Sequence, residues 1–358
     1  MTNIDNLFGM APFSLNSVDK ADLLDAELLS LTRHHYSNCS EYRRMLDGMR
    51  FDPEDASSAT DLPFLPVRLF KDHDLYSIDK SNIVKTMTSS GTSGQQVSKI
   101  YLSKETSLNQ TKALVKIVSE VIGSKRAPMI ILDSPSVLKN RKMFSARGAG
   151  ILGFSLFGTK RIYALNDDME LDVEGITAFI REHQDSKILL FGFTFMVYQH
   201  FIKVLQSRKI DIDLSDAVMI HGGGWKKLQG ESVSSAAFRR LLKDLCGLDH
   251  VYDYYGMVEQ TGSIYMECEF GHLHASIFSD IIIRDPRDFS VCLIGERGII
   301  QTLSVLPKSY PGHSLLTEDE GVLLGVDDCQ CGRLGKYLKI FGRIKNAEIR
   351  GCSDTYEQ

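Results

Sequence analysis

The sequence lacks long apolar runs, a basic leader and an excess of positive charge. Its longest apolar stretches, such as "APMIILDS" and "SKILLFGFTFMVYQHF", contain polar residues or are too short to span a bilayer. The opening residues, "MTNIDNLFGMAPFSLN", show no basic segment followed by an apolar one, so no signal peptide is expected. The net charge of −5 gives no electrostatic reason to expect a nucleic acid partner. These absences predict a cytoplasmic protein without a membrane span.

The composition is that of an ordinary globular protein. The 358 residues are 43% hydrophobic and 24% charged, which is enough to bury a large core. Seven cysteines, an odd number in a chain without an export signal, favour thiols or metal ligands over a disulfide framework. Internal repeats, low-complexity tracts and a clear linker are missing as well, so we expect one large composite domain.

Hydrophobic patterning predicts an α/β fold. Residues 17–50 have leucines at helical spacing, with Ser17 as the candidate N-cap. Short apolar runs that end in turn residues predict buried strands, at whose C-terminal ends ligands collect in α/β sheets. These runs are "APMIILDS", "SKILLFGFT", "DAVMIHGGGW" and "LDHVYDYYGMVEQ". After about residue 263, β-branched runs favour an antiparallel region.

A loop rich in Ser, Thr and Gly is a candidate phosphate site. The stretch "TMTSSGTSGQQVSK", residues 86–99, is expected between a strand and a helix, where backbone N–H groups and hydroxyls can bind phosphate oxygens. It is not a Walker loop, because no Gly-Lys-Ser/Thr closes it. A plain turn is the alternative interpretation.

Closely spaced cysteines indicate a metal site. Cys329 and Cys331 are separated by one residue, and "MECEFGHLHAS" supplies Cys268 together with His272 or His274. Four nitrogen and sulfur ligands in two close pairs suit a tetrahedral structural Zn²⁺. The alternative is a set of unconnected surface histidines and buried cysteines.

A further cysteine, Cys352, lies in the polar stretch "IRGCSDTYEQ". A thiol on a flexible tail can attack an activated acyl group, and Arg350 nearby would favour the thiolate. The alternative is an incidental exposed cysteine.

Five short motifs occur in the order found in the adenylate-forming superfamily, which the chain resembles. They are "TSSGTSG" (88–94), "HGGGW" (221–225), "YGMVE" (255–259), "LTED" (316–319) and "GRIKN" (342–346). The resemblance implies ATP and Mg²⁺ as cofactors. The ATP-binding residues it implies are Thr88, Ser89, Ser90, Gly91, Thr92, Ser93, Gly94, Gly222, Gly223, Gly224, Asp253, Tyr255, Gly256 and Asp319.

The same resemblance implies roles for individual side chains. Tyr255 would stack on adenine, Asp253 would accept the adenine amino hydrogens, and Asp319 would bind the ribose hydroxyls. Glu259 and Arg343 would be catalytic residues: Glu259 would hold Mg²⁺, and Arg343 would hold the ribose or the leaving phosphate.

Three positions depart from the superfamily pattern. Val258 replaces a Thr, Glu318 replaces a Gly, and Lys99 is displaced from the usual place of the loop lysine.

Phenylacetate–CoA ligase-like members of the superfamily carry a similar Cys-x₅-His plus Cys-x-Cys arrangement. By that resemblance the zinc ligands are Cys268, His274, Cys329 and Cys331, and the site is structural.

Longer strings resemble the LuxE-type acyl-protein synthetases, among them "FLPVRLFK", "YYGMVEQTGSIYMEC" and "GRIKNAEIRGCSD". This resemblance implies an α/β adenylate-forming domain of the N-terminal type, residues 1–345, with layered α/β sheets and a smaller β region. No C-terminal swivelling domain would follow, and residues 346–358 would form a mobile tail carrying the catalytic Cys352.

The LuxE-type resemblance also implies a two-step reaction. A fatty acid would be activated as its acyl-adenylate and transferred to Cys352 as a thioester. The acyl group would then pass to a partner protein such as an acyl reductase.

Two alternatives remain. One is phenylacetate–CoA-ligase-like acid activation with CoA or a carrier protein as acceptor, and the other is a non-catalytic binding scaffold. The aromatic stretch "ILLFGFTFMVYQHFI" is expected to be mainly core, with one or two residues lining an acyl pocket.

Overall fold

The structure, a computed structural model, describes residues 4–89, 96–138 and 146–344. The chain divides into two compact units. Unit 1 contains the described residues 4–89, 96–118 and 256–344, and unit 2 contains 119–138 and 146–255. The predicted domain 1–345 includes both units, whereas the predicted tail, residues 346–358, lies outside the described residues.

Helices and strands alternate through much of the chain. The α-helices of the described residues are α1 (Ile4–Gly9), α2 (Ser17–Asn38), α3 (Ser40–Gly48), α4 (Leu69–Asp72), α5 (Lys104–Ile122), α6 (Ala146–Phe154), α7 (Val173–Glu182), α8 (Thr194–Met196), α9 (Lys203–Arg208) and α10 (Ser235–Cys246). The strands in the same residues are β1 (Leu65–Pro66), β2 (Lys85–Thr88), β3 (Lys99–Leu102), β4 (Ala127–Ile131), β5 (Gly158–Tyr163), β6 (Leu189–Phe193), β7 (Val218–Gly222), β8 (His250–Tyr255), β9 (Tyr265–Glu267), β10 (Leu273–His274), β11 (Ser279–Arg284), β12 (Arg297–Ser304), β13 (Ser314–Val326) and β14 (Lys336–Arg343). A π-helical segment, Val197–Ile202, joins α8 to α9.

Unit 2 is built on parallel strands in the order β8-β7-β6-β4-β5. All residues of β6 and β7 are buried, as expected for parallel strands covered on both faces. The four strands predicted from short apolar runs are confirmed as β4, β6, β7 and β8. Since neighbouring strands run the same way, Thr194 after β6, Gly222 in β7 and Tyr255 in β8 lie along one edge of this sheet.

The aromatic stretch of residues 188–202, which includes β6, is mainly core, as predicted. Phe191, Phe193 and Met196 are at most 5% exposed. The ring of Phe191 stacks on that of Phe154 with centroids 4.2 Å apart. Each such buried side chain contributes about 1.5–3 kcal/mol to the free energy of unfolding. Phe195 is half-buried.

Unit 1 contains an antiparallel sheet in the order β11-β12-β13-β14-β10-β9, with β1 parallel to β13. The antiparallel region predicted after residue 263 is therefore confirmed. Strand β13 pairs with β12 on one side and β14 on the other, and this register sets Asp319 opposite Arg343.

The predicted N-terminal helical region forms α2 and α3, which are separated at Cys39. The N-cap of α2 is Asn16 and not Ser17, because the Asn16 side chain accepts hydrogen bonds from the backbone N–H groups of Val18 and Asp19. Leu24, Leu28 and Leu31, at spacings of four and three, form the buried stripe of α2.

The Ser/Thr/Gly loop joins two antiparallel strands, β2 and β3, in unit 1. The prediction that a helix follows this loop directly was wrong. Ile100 and Leu102 are buried while Lys99 is exposed, which is the alternation of a strand, and α5 starts only at Lys104. At that start the Ser103 hydroxyl accepts a hydrogen bond from the backbone N–H of Thr106 at 3.1 Å.

Within the described residues, no helix combines the length and the apolar character needed to cross a membrane. The cysteines of the same residues form no disulfide with one another: Cys39, Cys246, Cys268, Cys292, Cys329 and Cys331.

Candidate functional site

The base of the predicted phosphate loop is held by backbone and hydroxyl contacts. The backbone N–H of Ser89 donates to the Ser98 carbonyl at 3.1 Å, and the backbone N–H of Ser98 donates to the Ser89 hydroxyl at 2.9 Å. Thr88 and Ser89 are half-buried at the end of β2. The predicted ATP-binding residues Ser90, Gly91, Thr92, Ser93 and Gly94 lie outside the described residues.

Lys99, which the superfamily pattern left without a role, pairs across the hairpin with Thr88. Its ammonium lies 3.3 Å from the Asp74 carboxylate. The Tyr101 hydroxyl donates to the same carboxylate oxygen at 2.6 Å. Lys99 is thus an exposed partner of Asp74 at the base of the loop.

The carboxylate predicted to hold Mg²⁺, Glu259, lies in a short 3₁₀ helix, Val258–Gln260, and is only 8% exposed. Burial raises the pKa of the Glu259 carboxyl, while the Ser98 hydroxyl and the charge of Arg343 act in the opposite direction. The backbone is fixed by the Tyr310 hydroxyl, which donates to the Glu259 carbonyl at 2.8 Å. Unit 1 therefore holds one buried carboxylate within electrostatic reach of Arg343.

Asp319 and Arg343 form a cross-strand pair in the β13–β14 ladder. Directly opposite residues of an antiparallel pair project to the same face of a sheet. The Thr317 hydroxyl accepts a hydrogen bond from the Asp319 backbone N–H at 3.1 Å. Arg343 also approaches the carboxylate of Glu318, at 3.9 Å. Unit 1 thus brings the predicted ribose-binding residue beside the predicted catalytic arginine.

Thr261 lies near the position where Val258 departs from the superfamily pattern. The Thr261 hydroxyl donates to the Val258 carbonyl at 3.0 Å. The Val258 side chain packs on a hydrophobic cluster of unit 1. The hydroxyl therefore has a local acceptor in the structure.

In unit 2, the glycines predicted to line adenine lie at and after the end of β7. A Cβ on Gly222 would lie 2.4 Å from the ring of Tyr254, so only glycine allows the ring to approach. Gly223 has φ +78°, in the region that favours glycine. At Gly224, by contrast, a Cβ would meet no atom of the described residues within 4 Å.

The residues predicted to bind adenine lie in the neighbouring strand β8. Asp253 is 36% exposed and pairs in register with His221 of β7. Tyr255 is half-buried at the end of β8, and Gly256 follows it.

Two side chains without a predicted role, His221 and Thr194, contact this edge of unit 2. His221 is 4% exposed, and its Nδ1 lies 3.0 Å from the Thr194 hydroxyl and 3.7 Å from the Asp253 carboxylate. Burial, reinforced by the charge of Arg239, lowers the pKa of His221 to about 3. The only feature of the sequence that could have indicated these two residues is their position at the C-terminal ends of predicted strands.

The four predicted metal ligands lie together in unit 1, with their ligand atoms within 4.8 Å of one another: Cys268, His274, Cys329 and Cys331. The sulfurs of Cys268 and Cys329 are 4.0 Å apart, and Nε2 of His274 is 3.4 Å from the Cys331 sulfur. Ligands around a tetrahedral Zn²⁺ are separated by about 3.4–3.8 Å. The donor set therefore fits Zn²⁺, and the His274–Cys331 distance falls in that range, whereas the two sulfurs lie slightly further apart.

The structure also separates the two candidate histidines. His274 lies in β10 and belongs to the four-residue cluster. His272 is outside that cluster, although its Nδ1 is 3.3 Å from the Cys329 sulfur. The rings of both histidines stack on Tyr337.

The predicted acyl-accepting Cys352 lies outside the described residues, as does Arg350.

Comparison with known proteins gives one family and a set of remote relatives. The family model described as acyl-protein synthetase, LuxE, matches residues 1–358. The long-chain-fatty-acid–luciferin-component ligase of Vibrio harveyi is 23% identical over 367 residues, covering 100% of this chain and 93% of that protein. The ligase of the same name from Aliivibrio fischeri is 24% identical over 361 residues, covering 98% and 93%.

Solved structures show the same fold at low identity. A 2-hydroxyisobutyryl-CoA ligase in the postadenylation state superposes with a TM-score of 0.71 at 15% identity, covering 93% of this chain and 69% of that one. ATP-bound MatB from Rhodopseudomonas palustris superposes with a TM-score of 0.50 at 16% identity, covering 75% and 50%. The predicted α/β fold of adenylate-forming ligases is thereby confirmed.

Proposed function

Because this chain belongs to the acyl-protein synthetase (LuxE) family of ligases, we propose that it activates a fatty acid with ATP and transfers the acyl group to protein thiols. The observation that carries the proposal is the match over residues 1–358. The grouping of Glu259, Asp319 and Arg343 within unit 1 supports it, since these are the residue types that bind Mg²⁺, ribose and phosphate.

In the first step, a carboxylate oxygen of the acid attacks the α-phosphorus of ATP. The bond between the α-phosphorus and the bridging oxygen breaks, and pyrophosphate leaves with the electron pair. Asp319 would bind the ribose hydroxyls, and Arg343 would stabilise negative charge on the phosphates. Glu259 would hold Mg²⁺, which neutralises phosphate charge, and its buried carboxylate is a hard oxygen donor that fits this cation.

In the second step, the Cys352 thiolate attacks the acyl carbon, the bond from that carbon to the AMP oxygen breaks, and AMP leaves. The product is a thioester on this chain. A thiol of an acceptor protein then takes the acyl group by a second exchange, and an acyl reductase is the acceptor that we propose.

Acid-dependent exchange of labelled pyrophosphate into ATP tests the first step. We expect exchange with fatty acids of some chain length, and about a hundredfold less with Glu259→Gln, because one electrostatic stabiliser is lost. Exchange absent with every acid in a broad panel would instead favour a non-catalytic scaffold.

The second step is tested with labelled fatty acid, ATP and Mg²⁺. Label should remain on the denatured wild-type protein, be released by hydroxylamine, and be missing from Cys352→Ser. Cys292→Ser is the matched control, since Cys292 is a partly exposed cysteine outside the metal cluster. Full labelling of Cys352→Ser contradicts the thioester role. Acyl-CoA formed on adding CoA would favour the CoA-ligase alternative.

We also propose a structural Zn²⁺ bound by Cys268, His274, Cys329 and Cys331, on the strength of their spacing and donor types. Cys268 and His274 lie after β9 and in β10, and Cys329 and Cys331 lie between β13 and β14, so the metal would tie these two parts of the sheet together. Elemental analysis should find about one zinc per chain. Cys329→Ser should lose it, whereas the buried Cys246→Ser should keep it. Equal zinc in both variants would contradict the assignment.

A further inference from the structure

We propose that His221 is a positioning residue for adenine recognition in unit 2. Thr194 fixes the imidazole so that its Nδ1–H faces the carboxylate of Asp253, which thereby becomes a defined acceptor for the 6-amino group of ATP. This inference rests on the proposed function, because it takes Asp253 as the residue that meets adenine.

The three residues are brought together by the parallel strands. Thr194 directly follows β6, His221 lies in β7, and Asp253 lies in β8. Phe193 pairs with Gly222 across β6–β7, and His221 pairs with Asp253 across β7–β8. The contacts therefore run across the sheet edge at which α/β proteins bind ligands.

Counting donors assigns the tautomer. The Thr194 hydroxyl lies 3.2 Å from the Gly222 carbonyl and 3.0 Å from Nδ1 of His221. The carbonyl can only accept, so the single hydroxyl hydrogen of Thr194 is used there. The contact with His221 then requires a hydrogen on Nδ1, and this N–H also faces the Asp253 oxygen at 3.7 Å.

Burial keeps the arrangement neutral and rigid. His221 is 4% exposed and its ring lies 4.7 Å from that of Phe238, centroid to centroid. Its pKa is lowered to about 3, mainly by burial, so the ring is uncharged near neutral pH. Asp253 thus faces a neutral N–H and not an imidazolium, so His221 does not neutralise the negative charge of Asp253.

This geometry has a consequence for nucleotide choice. The 6-amino group of adenine donates hydrogen bonds, whereas the 6-oxo group of guanine only accepts them. A carboxylate at this point, 3.7 Å from a neutral N–H, favours ATP and leaves a guanine oxygen facing a negative charge.

The test compares ATP with purine riboside triphosphate, which lacks the 6-amino group. Binding can be followed by the fluorescence of Trp225, the single tryptophan of the chain, which follows Gly224. We expect His221→Gln and Thr194→Val to weaken ATP binding about tenfold and to leave the purine analogue unchanged. His221→Asn places an amide nitrogen near the Nδ1 position, and Thr194→Ser keeps the hydroxyl. Both of these variants should therefore bind ATP as the wild type does.

Equal losses for both nucleotides would show that the two residues act only on local structure, and the inference would be overturned. Failure of the wild type to bind either nucleotide would overturn the proposed function. A separate measurement needs no nucleotide: ¹⁵N NMR of the imidazoles should show His221 protonated on Nδ1. An Nε2-protonated ring in a wild type that binds ATP would overturn the inference alone.

Discussion

Acidification should destabilise unit 1 through the buried imidazole of His313. This side chain is 1% exposed, and its Nε2 lies 2.9 Å from the Thr32 hydroxyl. Its ring stacks on that of His35, which is also fully buried, with centroids 5.0 Å apart. Burial lowers the pKa of His313 to about 3, since a charged ring would lose its hydration there.

The sign and size follow from proton linkage. An unfolded histidine has a pKa of about 6.5, so below that pH the unfolded chain binds more protons than the folded chain and stability falls with pH. The loss begins near pH 6.5 and continues until the folded pKa, about 3, is reached. About pH 5 is about 1.5 units below the pKa of the unfolded histidine, and the free energy of unfolding lost over that interval is about 2 kcal/mol.

Urea unfolding of the wild type and His313→Gln at about pH 7.5 and about pH 5 measures this difference. Glutamine keeps a polar group near Nε2 but does not titrate. The wild type should lose about 2 kcal/mol more than the variant on acidification. His34→Gln is the control, since the ring of His34, whose pKa burial also lowers, is only half-buried. Equal acid losses in the wild type and His313→Gln would contradict this linkage.

Three further predictions concern single positions. Gly222→Ala should lower the melting temperature and weaken nucleotide binding, because the new methyl group would lie 2.4 Å from the ring of Tyr254. Gly224→Ala is the control: its methyl group would meet no described atom within 4 Å, so this variant should melt like the wild type. Asp280→Asn should cost about 3 kcal/mol in urea unfolding, because it leaves the Lys20 ammonium, 4% exposed, without its carboxylate. Arg343→Met should lower pyrophosphate exchange about a hundredfold with little change in melting temperature, since its side chain is 38% exposed.

Local sequence patterns account for the strands and the type of sheet. Short apolar runs bounded by turn residues became the buried parallel strands of unit 2, because a strand covered on both faces has no polar side to display. The β-branched runs after residue 263 became antiparallel strands. Residue chemistry also predicted that Cys268, Cys329 and Cys331 meet a histidine, because few functions other than metal binding need such closely spaced thiols. The choice of His274 over His272 came from the family resemblance and not from the residues alone.

Sequence patterns gave wrong predictions for two features, the element that follows the Ser/Thr/Gly loop and the N-cap of α2. The Ser/Thr/Gly loop lies on a hairpin, since Lys99–Leu102 is a strand only in its pairing with β2. Asn16, and not Ser17, caps α2, a choice of one residue that patterning does not resolve.

The amino-acid sequence specifies which chemical groups this protein has and the order in which they occur. Which of those groups meet depends on how the strands assemble. The pairing of Asp319 with Arg343 depends on the register of β13 and β14. The contact of Thr194 with His221, 27 residues further along the chain, depends on the alignment of parallel strands. Register and alignment are set by packing over whole strands, so no short motif contains them.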